Sequence, residues 1–331
     1  MKTLDLLSDL IGAKSRVLIT SHIRADGDAI GSELALALAL KQAGKNVHVV
    51  NDGAVPEIYT FLPGADRIDT SAKAVRDDYD LVIVVDAADF ERIGEVKAAL
   101  PEGVPLINID HHSSNNHYGD AAWIDGDASS VGEMVYKLLK HMELKVSEDI
   151  AVCIYAAIAT DTGRFLHSNT TAESLRIVAE FVDGVVDLNE ANNALYRAVS
   201  PGLMKLKTLA METITLFANG RIVCMQLTKQ MFQETGTSPL DAQEFVEIPR
   251  SIKGVSVAVL LYTIDGGKRT KVSFRSNLDV DVCAIAKGFG GGGHLRAAGC
   301  EIDAPIDEAQ AHAVAAVEAV LCRPAKQADP S

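Results

Sequence analysis

The stretch RVLITSHIRADGDAIGSELALALALKQAG (residues 16–44) decides the fold of the first half of this chain. Its apolar start at 16–21 predicts a buried strand, and the helix-forming residues at 29–43 predict a helix that Gly44 ends. The turn between the two carries one histidine and two aspartates. A strand, a polar turn and a helix in this order are typical of an open α/β sheet.

Three more apolar runs continue this pattern, at 46–50, 81–85 and 106–109. The run at 81–85 (LVIVV) is continuous and β-branched, which is typical of a parallel strand covered on both faces. Further along, the pattern becomes helical, with helices predicted at 129–142, 147–160, 171–182 and 189–198. The first half therefore predicts a mostly parallel sheet flanked by helices.

The second half begins after Ser200, Pro201 and Gly202, which interrupt the helical pattern. The helices predicted here are at 203–217, 280–288 and 307–321. The strands predicted here are at 221–227, 255–264, 268–276 and 298–302, with a Gly266–Gly267 hairpin before the third. We expect two α/β domains, at 1–190 and 216–325, a helical linker at 191–215 and a frayed tail from Arg323.

The composition is that of a globular protein. Of the 331 residues, 48% are hydrophobic and 23% are charged, which excludes a disordered or collagen-like chain. The longest apolar stretch, 34–40, is far shorter than the ~20 residues that cross a bilayer, so no membrane partner is expected. Asp5 and Asp9 argue against a secretory signal. Five scattered cysteines without a CxxC pair predict no disulfide framework and a reducing compartment, the cytoplasm.

The net charge of −14 argues against duplex DNA as a partner, because such a surface repels polyanions. The charge is uneven along the chain. Residues 1–215 carry 19 Lys/Arg and 32 Asp/Glu, whereas residues 216–331 carry 12 and 13. An anionic ligand is therefore received more easily by the second half, unless a bound metal offsets the first.

The turn SHIRADGD (residues 21–28) is the first candidate site. His22, Asp26 and Asp28 follow a strand end, where ligands of open α/β sheets bind, and they offer mixed nitrogen and oxygen ligands to a divalent metal. A purely structural alternative is that Asp28 caps the helix that begins at Ala29.

Asp86 and the run Asp110-His111-His112 also follow predicted strands. Like charges at one sheet edge destabilise a fold unless a cation lies among them. Asp161 ends a predicted helix, where the helix dipole disfavours an anion, so a metal or the nearby Arg164 would compensate it.

A charge count favours two metal ions. Asp26, Asp28, Asp86 and Asp161 bring four negative charges, which two divalent ions neutralise while keeping open coordination positions. Two ions ~3.5–4 Å apart can clamp the attacking and leaving oxygens of an in-line displacement at phosphorus.

The second half offers groups for the rest of a phosphate-containing substrate. The glycines at 290–293 would let backbone N–H groups approach phosphate oxygens, and His294 and Arg296 add polar side chains. Arg275 lies on a predicted strand and could clamp a phosphate. The alternatives are a flexible linker for the glycine run and an ordinary solvated side chain for Arg275.

Together these motifs resemble the DHH phosphoesterase superfamily. The matching residues are HxxxDxD at 22–28, Asp86, DHH at 110–112 and Asp161. The second half resembles the DHHA1 domain through SFRS at 273–276 and GGGGH…AAG at 290–299. A chain of these two domains looks like the NrnA-type oligoribonucleases (nano-RNases) and 3′-phosphoadenosine-5′-phosphate (pAp) phosphatases, which implies a DHH catalytic domain, a smaller DHHA1 substrate domain and an active-site cleft between them.

The resemblance implies a role for each site residue. One Mn²⁺ would be held by His22, Asp26 and Asp86, and a second by Asp28, Asp86, His111 and Asp161, with Asp86 bridging. Co²⁺, Mg²⁺ and Zn²⁺ stay open as alternatives. The residues implied to be catalytic are Asp28, Asp86 and His112, of which His112 would contact the scissile phosphate. The residues implied to bind substrate are Arg275, Ser276, Gly291, Gly292, Gly293, His294 and Arg296.

The implied activity is the hydrolysis of short oligonucleotides, such as pApA, to mononucleotides and of pAp to AMP by metal-activated water. Partners would be short single-stranded RNA or DNA or nucleotides, and a homodimer stays open. The alternatives are a cyclic-dinucleotide phosphodiesterase, a RecJ-type exonuclease and a non-enzymatic nucleotide-binding module. The last is disfavoured because no metal ligand is missing. One departure is Ala25, where the family often has proline, and it puts only the stiffness of that turn in doubt.

Overall fold

A computed structural model describes residues 2–184, 187–197, 199–277 and 280–321 of the chain. It divides into two units, Met1–Ala198 and Val199–Ser331, each with its own sheet and apolar core. The predicted frayed tail from Arg323 lies outside the described residues, as does Cys322.

The first unit is built on a five-stranded parallel sheet. Its strands are β1 (Arg16–Thr20), β2 (Asn46–Val49), β3 (Leu81–Val85), β4 (Leu106–Asp110) and β5 (Ala121–Ile124). Their order in the sheet is β2-β1-β3-β4-β5, and every neighbouring pair is parallel. All five residues of β3 are buried, as its β-branched sequence predicts. The predicted parallel sheet is confirmed, and β5, with its short sequence AAWI, is an additional edge strand.

Seven helices accompany this sheet in the described part of the first unit. They are α1 (Lys2–Gly12), α2 (Gly27–Gln42), α3 (Val96–Ala99), α4 (Val131–His141), α5 (Glu148–Asp161), α6 (Ala172–Gly184) and α7 (Leu188–Tyr196). Helices α2 and α5 approach each other closely at Gly31, where a Cβ atom would lie 2.5 Å from the carbonyl oxygen of Cys153. Close packing at Gly31 holds α2, which begins beside Asp26, against α5, which ends at Asp161.

The second unit is built on a six-stranded mixed sheet. Its strands are β6 (Thr215–Phe217), β7 (Ile222–Leu227), β8 (Val257–Ile264), β9 (Arg269–Ser276), β10 (Gly292–His294) and β11 (Ala297–Ile302). The order is β10-β11-β9-β8-β7-β6, with β7 and β8 parallel and the other pairs antiparallel. Its helices are α8 (Pro201–Glu212), α9 (Lys229–Thr235), α10 (Glu247–Arg250), α11 (Val282–Lys287) and α12 (Ile306–Leu321).

The second unit differs from the sequence-based prediction at the end of its first helix, and β6, β10, α9 and α10 are additional elements. The helix predicted to reach residue 217 ends at Glu212. The Thr213 hydroxyl donates to the Ala210 carbonyl (2.7 Å) and accepts the backbone N–H of Gln226 (2.8 Å). These two hydrogen bonds turn the chain from the helix into β6. The glycine run, for which a linker was an alternative, forms part of strand β10. The Gly266–Gly267 turn between β8 and β9 has the positive φ angles that favour glycine (70° and 98°).

Two absences hold for the described part of the chain. None of its helices combines the length and the apolar character that a bilayer-spanning helix needs. The four cysteines it includes are free thiols, and three of them, Cys153, Cys224 and Cys300, are buried.

We expect Gly31→Ala to lower the free energy of unfolding by about 1–3 kcal/mol, because the added methyl group meets backbone that cannot move aside. Urea denaturation measures this difference. The matched control is Gly12→Ala, since a Cβ atom at that helical glycine meets nothing within 4 Å. Equal stability of the two variants would show that α2 and α5 do not depend on this approach.

Candidate metal and phosphate site

The six predicted metal ligands come together at one edge of the first sheet. His22 and Asp26 follow β1, Asp86 follows β3, and His111 follows β4. The remaining two, Asp28 and Asp161, come from the first turn of α2 and the last residue of α5. The chain leaves β1 and β3 in opposite directions, and this switch point is where open α/β sheets bind ligands.

Asp86 lies at the centre of this cluster. Its Oδ2 is 3.5 Å from His22 Nε2, and its Oδ1 is 3.8 Å from His111 Nε2. Oδ1 is buried and has no hydrogen-bond partner. Oδ1 is also 3.6 Å from His112 Nδ1, so one carboxylate oxygen faces His22 and the other faces His111 and His112.

Two further ligand groups surround Asp86. The Nε2 atom of His22 is 3.9 Å from Asp26 Oδ2, and that of His111 is 3.8 Å from both Asp28 Oδ2 and Asp161 Oδ2. Within each group the donor atoms lie inside 4.8 Å of one another. Donors that share an ion with bonds of ~2.1 Å lie roughly 3–4 Å apart, so both groups are of a size that a divalent cation can draw together.

The orientation of the two histidines fits metal ligation. His22 Nδ1 lies 2.9 Å from the Ile23 carbonyl oxygen, closer than the 3.3 Å that separates it from Arg92 Nη2. His111 Nδ1 lies 3.3 Å from the Ala128 carbonyl oxygen. An N–H on Nδ1 that donates to a carbonyl fixes the tautomer in which Nε2 carries the lone pair, as metal-binding histidines usually do. Together with the unpartnered Asp86 oxygen, this orientation shows that the residues present fit a divalent cation.

Protons are held strongly by this cluster when no cation is bound. Burial, together with the charges of Asp86 and Asp161, raises the pKa of Asp28 well above its usual range. Burial also raises the pKa of Asp161 to about 6. A cation must displace these protons, so its affinity should increase with pH.

The neighbouring carboxylates also raise the pKa values of His22 and His111. Burial alone would lower the pKa of His22, but its hydrogen bonds with Asp26 and Asp86 raise the pKa to about 10. Burial opposes the carboxylates around His111 in the same way, and the charges of Asp161, Asp28 and Asp86 raise its pKa to about 9.

Asp26 and Asp28 also stabilise helix N-termini. Asp26 caps α2, since its Oδ1 accepts the N–H groups of Asp28 and Ala29, both at 3.1 Å. Asp28 instead accepts the N–H groups of Val131 (2.6 Å) and Gly132 (2.9 Å) at the start of α4. The capping role considered for Asp28 therefore belongs to Asp26.

Arg275 and His294 of the second unit lie in one row across three strands. Arg275 on β9 pairs with Ala297 on β11, and Ala297 pairs with His294 on β10. Directly paired residues point to the same face of a sheet, so the small Ala297 separates two larger polar side chains. Arg296 is exposed just before β11, whereas Ser276 points to the opposite face from Arg275 and is fully buried.

The glycines at the start of β10 and just before it are not equivalent. A Cβ atom on Gly291 would lie 2.2 Å from the Gly299 carbonyl oxygen, and one on Gly293 would lie 2.5 Å from that of Ala297. Strand pairing therefore requires both glycines. A Cβ atom on Gly292 would meet nothing within 4 Å, so the fold itself does not require glycine there.

Comparison with known proteins identifies two domain families in this chain. The family model described as "DHH family, N-terminal domain" matches residues 16–158, and the "DHHA1 domain" model matches residues 219–322. The curated "Bifunctional oligoribonuclease and PAP phosphatase NrnA" of Bacillus subtilis (strain 168) is 32% identical, over 86% of this chain and 89% of its own. This chain belongs to the DHH phosphoesterase family.

Two further relatives of this DHH protein cover nearly its whole length. The protein of the same name from Thermus thermophilus is 32% identical over 93% of this chain and 90% of its own. The crystal structure of an exopolyphosphatase-related protein from Bacteroides fragilis superposes with a TM-score of 0.90 and 26% identity, and 96% of each chain is covered. The DHH protein is thus a hydrolase that acts on phosphoester bonds, and its family uses divalent metals.

The sequence analysis missed three asparagines that contact the site or the turn before it: Asn115, Asn169 and Asn51. Asp110 Oδ1 lies 2.7 Å from His112 Nδ1, and Asn115 Nδ2 donates to Asp110 Oδ2 at 2.7 Å. Asn169 Nδ2 donates to Asp161 Oδ2 at 3.0 Å. Asn115 and Asn169 each follow a motif by a few residues, which is a weak sequence signal. The third, Asn51, belongs to a separate network.

Asn51 links a buried carboxyl group to the turn before His22. Its Oδ1 accepts the backbone N–H of Ser21 (3.2 Å), and its Nδ2 donates to Glu33 Oε1 (2.7 Å). Glu33 on α2 is fully buried, and burial raises its pKa to about 8. A glutamate within an apolar helix gives no sequence signal for such a contact.

We expect Glu33→Gln to flatten the pH dependence of stability. The folded-state pKa of Glu33, about 8, exceeds its ordinary value of 4.5, so the wild type loses stability as the pH rises through this range and glutamine does not. Urea denaturation without added cation at about pH 5 and about pH 9 should show a difference of more than about 1 kcal/mol between the two losses.

The control for this measurement is Glu102→Gln, which changes an exposed glutamate of the same unit. If Glu33→Gln and the wild type lose stability in parallel, Glu33 ionises in the folded protein without a penalty.

Proposed function

We propose that this DHH protein hydrolyses short oligonucleotides, such as pApA, to mononucleotides, and pAp to AMP, with two divalent cations. The observation that carries the proposal is the position of Asp86, whose two oxygens face two separate histidines at 3.5 and 3.8 Å. A carboxylate in that position suits a bridge between two ions. The names of the relatives from Bacillus subtilis and Thermus thermophilus support the substrate class.

Each cation has its own ligand group in this proposal. His22, Asp26 and Asp86 would hold one. The other would be held by the group of Asp28, His111 and Asp161 together with Asp86, whose Oδ1 lies 3.8 Å from His111 Nε2. Mn²⁺ is the proposed ion, because two imidazoles disfavour Mg²⁺, which prefers oxygen ligands. When bound, such ions stabilise charge on phosphoryl oxygens and lower the pKa of water.

His112 is the proposed group for proton transfer to the leaving oxygen. Its Nδ1 is held by Asp110, which assigns the exchangeable position to Nε2. Burial would raise the pKa of Asp110, but its hydrogen bonds with His112 and Asn115 outweigh burial and lower the pKa. Asp110 therefore stays ionised and accepts a hydrogen bond from His112 Nδ1–H, which orients the His112 ring.

The terminal phosphate of the substrate is assigned to Arg275, His294 and the backbone of β10. Arg275 and His294 flank Ala297 on one face, and Gly292 leaves the β10 backbone open to close approach. Arg296 is exposed beside them and can contact the same ligand. The Ser276 side chain is buried, so its proposed role in substrate binding is indirect. Its backbone N–H donates to the Arg296 carbonyl (2.9 Å) and thereby positions Arg296.

Turnover with Mn²⁺ on pApA, pAp, cyclic-di-AMP and a long single strand tests the proposal. We expect fast cleavage of pApA and pAp and slow cleavage of the long strand. Asp86→Ala and the isosteric Asp86→Asn should lose both cation binding, measured by calorimetry, and turnover. Equal rates on the long strand and on pApA would favour an exonuclease of another kind, and an active Asp86→Ala variant would disprove the bridging role.

Gly292→Ala tests the approach of the β10 backbone to phosphate. The fold has room for the added methyl group, so thermal stability should be unchanged. The KM for pApA should rise by roughly tenfold with little change in kcat, as expected for the loss of one hydrogen bond to a charged group.

Gly291→Ala is the comparison for this variant, because its methyl group meets the Gly299 carbonyl and should lower stability instead. An unchanged KM in Gly292→Ala would exclude substrate from this part of the strand.

A further inference from the structure

Glu247 lies between two arginines of the second unit. Its Oε1 is 3.4 Å from Arg275 Nε, and its Oε2 is 3.1 Å from Arg250 Nη1. We call these three residues the Arg250–Glu247–Arg275 cluster. Glu247 and Arg250 belong to α10, which packs beside β9, and Arg275 belongs to β9 itself.

Both arginines also have uncharged partners. Arg250 Nε donates to Asn277 Oδ1 at 3.0 Å, and Asn277 Nδ2 donates back to the Arg250 carbonyl at 2.8 Å. Arg275 Nη1 donates to the carbonyl of Phe274 at 3.1 Å. Each guanidinium group thus keeps at least one hydrogen-bond partner when the Glu247 carboxylate is displaced.

The cluster can be reached from solvent and carries a formal charge of +1. The side chains of Arg250, Arg275 and Glu247 are 22%, 28% and 39% exposed. An arriving phosphate monoester has a charge of about −1.5 to −2 and three acceptor oxygens, so it can displace a single carboxylate from a guanidinium group. A nucleoside with a bare hydroxyl end cannot.

We propose that Glu247 is an internal competitor for Arg275, which lowers the affinity of this protein for nucleotides that end in a phosphate monoester. This proposal rests on the function proposed above. The product AMP bears the same monoester as the substrate pApA. Glu247 thereby weakens the retention of product as well as the binding of substrate, and it is a specificity-determining residue for the terminal phosphate.

Calorimetric titration of the Mn²⁺-loaded protein with AMP and with adenosine tests this role. We expect Glu247→Gln to bind AMP about threefold more tightly, which is the range for a partly exposed ion pair, and to bind adenosine as the wild type does. Competitive inhibition of pApA cleavage by AMP should strengthen by the same factor. Glu247→Ala should act in the same direction and guards against a specific effect of the glutamine side chain.

Glu301→Gln is the matched control. Glu301 on the neighbouring strand β11 also lies between two basic side chains, with Oε2 3.0 Å from Arg269 Nη1 and Oε1 3.8 Å from Lys271 Nζ. The variant Glu301→Gln removes the same charge from the same unit, and its affinity for AMP should equal that of the wild type. An equal gain in this control would mean that overall charge is responsible, which would overturn the proposal.

Two outcomes separate this inference from the proposed function. If Arg275→Gln leaves the preference for AMP over adenosine unchanged, the assignment of the terminal phosphate to Arg275 is wrong. If Arg275→Gln removes that preference while Glu247→Gln binds AMP as the wild type does, or more weakly, the phosphate site stands and Glu247 is not a competitor.

Discussion

The repulsion among the carboxylates at one sheet edge is the constraint on which the first unit depends. Asp28, Asp86 and Asp161 are brought there by β3 and by two helices that pack at Gly31. Such crowding is tolerated only where positive charge or protons compensate it. Two histidines, the N–H groups at the start of α4 and strongly held protons supply that compensation in the absence of a cation.

The same constraint explains why polar residues surround the site. Asp110 and Asn115 are buried and Asn169 is half-buried, and each is fixed by hydrogen bonds to a site residue or its neighbour. These contacts hold the ligating groups apart in the positions that a cation needs. The second unit has no such crowding among its described residues and presents arginine and histidine side chains across its sheet instead.

The sequence allowed the parallel sheet and the convergence of His22, Asp86 and His111 to be predicted, because the carboxyl ends of parallel strands share one edge. It did not allow the exchange of roles between Asp26 and Asp28, since that depends on where α4 begins in space. Nor could it distinguish Gly292 from its neighbours, because only strand pairing makes the other two glycines necessary. The contact of Glu247 with Arg275 joins α10 to β9, and no local sequence pattern predicts it.

The buried Oδ1 of Asp86, which has no hydrogen-bond partner, has a consequence for the lifetime of the protein. An unsatisfied buried oxygen lowers the free energy of unfolding, and a cation that binds only the folded chain restores it in proportion to the logarithm of its concentration. With a cation bound at Asp86, resistance to proteolysis would follow the supply of metal, and the abundance and the activity of the protein would decline together under metal starvation.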